Sequence, residues 1–167
     1  SIASGGNYNV VVGDEAGTSI TTGDNNVAVG YSALTDSVLG GLSTAVGTYA
    51  LQKQNPATAT NMYNSAFGYN AGNKVTTGTQ NTLVGGLAGD AITTASNNAA
   101  FGYSALGANS TGTLNTAIGS GALFNNTTAS NNTAVGTNSL LSNTTGTNNT
   151  ALGVFALDSN TTGSGSV

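Results

Sequence analysis

The side chains able to do polar chemistry in this chain are six carboxylates, two lysines and many hydroxyls and amides. The acids are Asp14, Glu15, Asp24, Asp36, Asp90 and Asp158, and the bases are Lys53 and Lys74. Histidine, cysteine and arginine are absent. An activated serine or cysteine nucleophile of the usual kind needs a histidine base, so such catalysis is excluded within this chain. Zinc held by cysteine and histidine is excluded on the same ground. A carboxylate pair could hydrolyse a glycoside. Asp14 and Glu15, however, are adjacent and would point apart on a strand. The glycine phrase "VGGLAG" at 84–89 lacks the lysine of a phosphate loop. Recurrent aspartates of a calcium-binding solenoid are missing too. No enzyme activity, cofactor or metal is expected.

Net charge is −4 with only two basic residues, which leaves no cationic surface for phosphates, so nucleic acid is not an expected partner. No apolar run approaches the length of a membrane span, so membrane insertion is not expected. Between Tyr103 and Leu157 no side chain is charged. Disorder goes with high net charge and few aliphatics. Here Val, Leu, Ile and Phe recur at fixed intervals, which points to an ordered repeat.

The interval is 17 residues. Phrases such as "NTAVG" close on Gly13, Gly30, Gly47, Gly68, Gly85, Gly102, Gly119, Gly136 and Gly153, with one step of 21 between Gly47 and Gly68. That longer step places a surface loop at residues 52–61 within a single repeat domain spanning 1–167. The pattern breaks off at Ser1-Ile2-Ala3 and within Gly163–Val167, so the chain reads as a segment of a longer fibre protein. Helical repeats run to about 33 residues or more and favour other residues. Short β-branched segments between Gly/Asn corners predict an all-β, parallel β-solenoid of nine coils, stacked at roughly 4.8 Å. Asparagine four before the glycine would form ladders up the rod.

The residue before each closing glycine is always large and apolar: Val12, Val29, Val46, Phe67, Val84, Phe101, Ile118, Val135 and Leu152. These are expected to form the core ladder. The residue before them is mostly alanine, and adjacent strand residues face opposite ways. The alanine row is then the face that approaches a neighbouring chain, which favours a homo-oligomer. A second correlation concerns volume. Four residues after the glycine stands Leu34, Leu51, Leu106, Leu123, Leu140 or Leu157, but Gly17, Gly72 or Gly89 in three units. Those three alone carry Ile20, Val75 or Ile92 three places later, where the uninterrupted leucine units have Ser37, Asn109, Asn126, Asn143 and Asn160. Close-packed interiors conserve volume in this way, so both positions should border one core.

Two outward rows invite functional readings. Thr22, Thr60, Thr77, Thr94, Thr111, Thr128, Thr145 and Thr162 stand eight before a closing glycine or its continuation. A regular threonine array on a solenoid suits ice binding, although the threonine preceding most of them would point its hydroxyl to the other side. Tyr31, Tyr69 and Tyr103 each follow a closing glycine and could stack on sugars, as in a carbohydrate-binding module.

"NNTAVGTNSLLSNTTGTNNTALGVFAL" and "NTLVGGLAGDAITT" resemble repeats of bacteriophage tail fibres and related virion appendages. The Asn-x-Ala-Val-Gly core is also similar to head repeats of trimeric autotransporter adhesins, whose coil is shorter than 17 residues. The resemblance spans nearly all nine units. It implies an extracellular structural fibre of a virion appendage or cell surface, commonly a homotrimer, serving as shaft or spacer. A host-surface glycan or receptor is the partner it implies; it brings no catalytic residue.

Overall fold

The computed structural model describes residues 6–167. Ser1-Ile2-Ala3, where the repeat is expected to break off, lies outside the described residues. The chain is an all-β parallel solenoid with a 17-residue period, and the described residues contain no helix. Its strands are β1 (Val10–Val12), β2 (Val27–Val29), β3 (Gly40–Gly41), β4 (Thr44–Val46), β5 (Thr60–Asn61), β6 (Ser65–Phe67), β7 (Thr82–Val84), β8 (Ala99–Phe101), β9 (Thr116–Ile118), β10 (Thr133–Val135) and β11 (Thr150–Leu152). Nine of them form one parallel sheet in the order β1-β2-β4-β6-β7-β8-β9-β10-β11, and β3 pairs with β5 beside it. Register follows the repeat, with Ala117 opposite Ala134 and Ala134 opposite Ala151. The 21-residue step lies between β4 and β6. There Gln54 and Pro56 are buried while residues 57–59 are exposed.

Each turn is short because the corners use left-handed backbone. The closing glycines have φ between 124° and 138°, a region costly for any residue with a Cβ. A Cβ on Gly119 would also lie 2.6 Å from the backbone of Gly136 in the next coil. Glycine here permits both the bend and backbone-to-backbone stacking.

The expected core ladder is inverted. Ala28, Ala45, Ala66, Ala100, Ala117 and Ala134 are fully buried, whereas Val12 is 57% exposed, Phe101 41% and Leu152 79%. Val29, Val46, Phe67, Val84, Ile118 and Val135 share the same outward side and are half-buried or exposed. The inside is already occupied by Leu34, Leu51, Leu106, Leu123 and Leu140, all fully buried, together with Ala33, Ala50, Ala105, Ala122 and Ser139 one residue before them. Only a methyl group fits between the strand and that leucine layer. Burial favours the larger side chain in transfer free energy, but a filled interior excludes it.

The exceptions follow the same rule. Where the inward strand residue is larger, Val11 or Leu83, glycine lies opposite. A Cβ on Gly17 would sit 3.2 Å from Val11 Cγ2, and one on Gly89 would sit 2.8 Å from Leu83 Cδ2. The same Gly89 Cβ would approach Ile92 Cδ1 at 2.8 Å. The Leu/Gly and Asn/Ile exchange therefore fills one shared volume, as its pattern predicts.

Two asparagine ladders hold the coils in register. In the first, each Oδ1 accepts the next backbone N–H: Asn132 N to Asn115 Oδ1 at 3.0 Å, and Asn149 N to Asn132 Oδ1 at 3.0 Å. Its Nδ2 groups donate to carbonyls across the coil, as Asn115 does to Ala129 O at 2.9 Å. In the second, amides bond amides: Asn126 Nδ2 to Asn109 Oδ1 at 3.0 Å and Asn143 Nδ2 to Asn126 Oδ1 at 2.9 Å. Ser43 interrupts the first ladder, and buried Gln54 fills the gap. Its Oε1 accepts from Asn64 Nδ2 at 2.9 Å and its Nε2 donates to Ser43 Oγ at 3.1 Å. Among the described residues no buried side-chain polar atom lacks a hydrogen-bond partner, as the cost of stranding one requires.

Candidate functional site

The carboxylates are spread along the coils, but Asp14 and Glu15, expected to point apart, both border one cleft of about 500 Å³ beside Thr18. Glu15 Oε2 accepts from Ser32 Oγ at 2.9 Å, and Asp24 Oδ1 accepts the Asn7 N–H at 2.7 Å. Asp158 Oδ1 accepts from Ser159 Oγ at 3.1 Å. Asp36 pairs with Lys53 at 2.9 Å, both ends being well exposed, so the pair contributes little stability. Among the described residues no group of three or more acidic, histidine or cysteine side chains could hold a metal ion.

Stacking does create one charged feature that the sequence reading missed. Asp36, Lys53 and Lys74 occupy the same place in successive coils, with Asp90 close by in the next. Asp36, Lys53 and Lys74 border an open cleft of about 690 Å³ with Thr76 and Thr93. Partial burial pushes the Asp90 carboxyl above the usual carboxylate range, and the nearby Lys74 ammonium offsets this only in part. Two acids and two bases make the row nearly self-neutralising. The 17-residue spacing, extended across the longer step, was the signal that could have found it.

The tyrosines expected to bind sugars are exposed, Tyr31 at 41%, Tyr69 at 56% and Tyr103 at 62%. The structure adds Tyr49, whose ring meets Tyr31 edge-on at 5.3 Å and Tyr69 at 6.3 Å. Tyr31, Tyr49 and Tyr69 thus form a continuous aromatic row over three coils. Tyr103 stands two coils beyond Tyr69, with Gly86 in the intervening place.

The most extensive outward feature is the sheet face itself. Its aliphatic row runs the length of the solenoid, with one large apolar side chain per coil from Val12 to Leu152 and phenylalanine at positions 67 and 101. Beside it on the same face stand Val10, Val27, Thr44, Ser65, Thr82, Ala99, Thr116, Thr133 and Thr150. No helix among the described residues is long and apolar enough to cross a membrane. No protein-family model, curated protein or solved structure matches the chain.

Proposed function

We propose that the chain is a rigid structural segment of an extracellular fibre, such as a phage tail fibre or surface adhesin. Copies would pack side by side as a homo-oligomer, with a trimer favoured by the resemblance of its repeat. One observation carries this reading: a parallel solenoid that turns its large aliphatic row outward on its nine-stranded sheet. Monomeric proteins rarely expose contiguous apolar patches beyond a few hundred Å². A row repeated at every coil supplies a self-complementary stripe, and closed rotational symmetry brings identical stripes together without leaving one unpaired. The side chains of that stripe vary between valine, isoleucine, leucine and phenylalanine, as a packed seam tolerates. The low charge of the chain removes the like-charge repulsion that would oppose association of identical copies.

Rigidity fits a spacer. Each coil bonds the next through backbone amides and through the asparagine ladders, so bending would stretch several bonds per rung. Host attachment would lie at the tyrosine row or outside this segment. Sedimentation equilibrium tests the reading. The wild-type chain is expected as a closed oligomer, and replacing Phe101 and Ile118 by serine is expected to release folded monomers. A wild-type chain that remains monomeric at high concentration refutes it.

A further inference from the structure

A second outward surface is more uniform than the sheet face. In six successive coils the residues 76–79, 93–96, 110–113, 127–130, 144–147 and 161–164 are only threonine, serine, glycine and alanine. Within each tetrad the four side chains have distinct fates. The first hydroxyl is spent along the axis: Thr76, Thr93, Ser110, Thr127 and Thr144 each donate to a carbonyl in the next coil at 3.0–3.3 Å. The second residue, Thr77, Thr94, Thr111, Thr128 or Thr145, is exposed, and its hydroxyl bonds no described residue. The third, Gly78, Ala95, Gly112, Ala129 or Gly146, is buried. The fourth returns outward as threonine or serine. Thr79 donates both its N–H and its O–H to Ser96 Oγ, at 2.9 and 3.3 Å, and Thr113 treats Ser130 in the same way.

The outward pattern is therefore Thr-x-Thr or Thr-x-Ser in each of these six coils. The sequence objection to a flat hydroxyl face was that paired threonines point opposite ways. The fold answers it by turning the first of each pair along the axis, where it braces the row.

We propose that this strip is an ice-binding surface, whose partner is the ordered lattice of crystalline water. A protein partner would be held by a few tryptophan, tyrosine or arginine anchors, and the strip has none. A sugar chain would call for an aromatic ring to stack on, and the tyrosines lie elsewhere on the coil. What remains is a row of uncommitted hydroxyls, repeated at roughly 4.8 Å over about 24 Å of rod. Each can both donate and accept. Such a row suits a partner that is itself periodic, uncharged and made of donors and acceptors. Threonine is also stiff about χ1, so ordering these hydroxyls on a crystal costs little entropy. Axial backbone bonds on the strip, such as Thr93 N to Ser110 O at 3.0 Å and Ser110 N to Thr127 O at 2.8 Å, keep its spacing constant. The strip lies off the sheet face, so this inference stands whether or not copies associate.

The test measures thermal hysteresis and adsorption of the fluorescently labelled full chain to a single ice crystal. The wild type should show both. The pair Thr111→Tyr and Thr128→Tyr should abolish both with little change in melting temperature, since neither side chain has a partner in the fold. Thr137→Tyr should retain both, because it lies after a closing glycine where other coils already carry tyrosine. Should the tyrosine pair unfold the chain, Thr111→Ala with Thr128→Ala removes the hydroxyls without bulk and should show the same loss. Absence of hysteresis and adsorption in the wild type, or their persistence in the alanine pair, overturns the proposal.

Discussion

Leu83 offers a quantitative test of how the interior is filled. It is fully buried, and the hollows on either side belong to glycines. A Cβ on Gly72 would lie 2.7 Å from Leu83 Cδ1, and one on Gly89 would lie 2.8 Å from Leu83 Cδ2. Leu83→Ala should cost about 2–5 kcal/mol, toward the upper part of that range because glycine has no side chain to swing into the cavity. Gly89→Ala alone should cost about 1–3 kcal/mol, because its Cβ overpacks the core and its φ of 56° disfavours a side chain. In the double variant the new methyl enters space that Leu83 has vacated, while Ile92 Cδ1 still presses on it from 2.8 Å. The two changes should therefore couple favourably, the double variant being more stable than the sum by on the order of 1–2 kcal/mol. Urea unfolding of the four proteins, followed by circular dichroism, measures this. Additivity within about 0.5 kcal/mol would show that the two sites do not share one volume.

The remaining predictions concern the ladder and one acid. Asn115→Ala strands the Asn132 N–H in the interior, while the Ala129 carbonyl keeps its bond from Asn126 Nδ2 at 2.9 Å. Stranding that one group should lower stability by about 1–3 kcal/mol in urea melts, whereas exposed Asn125→Ala should stay within about 0.5 kcal/mol. Asp90 has a raised pKa in the folded chain, so the folded state holds its proton more tightly than the unfolded state does. Its contribution to stability is then lost as pH rises through the carboxylate range. Asp90→Asn should accordingly raise the melting temperature at neutral pH, with the gain vanishing once both states are protonated in acid.

Much of the fold was legible in the sequence because glycine and asparagine must recur where the backbone turns left-handed and where a buried amide spans two coils. The exchange of Leu106 with Asn109 for Gly89 with Ile92 disclosed a packed interior, since only shared space makes such residues covary. Which strand face is inward was not legible. Alanine and valine are both apolar, and transfer free energy favours burying the larger, whereas the leucine layer behind the strand leaves room only for the smaller. Gln54 was missed because it completes the asparagine ladder from the next coil, across the gap at Ser43. Tyr49 was missed because it stands one place later than Tyr31 and Tyr69, and only the stacked coils bring the three rings together. The second hydroxyl row, Thr79, Ser96, Thr113 and Ser130, was overlooked because the paired threonines before it dominate the pattern.

The most direct test of the outward aliphatic row uses the absence of cysteine from this chain. Ala117→Cys and Ile118→Cys place a single thiol on opposite faces of β9. The inverted ladder predicts that Ala117→Cys resists a thiol reagent until the chain unfolds. It predicts that Ile118→Cys forms a disulfide with a second copy on mild oxidation. Rapid labelling at position 117 in the folded chain, with position 118 protected and no cross-link formed, would contradict both the inverted ladder and the seam built on it.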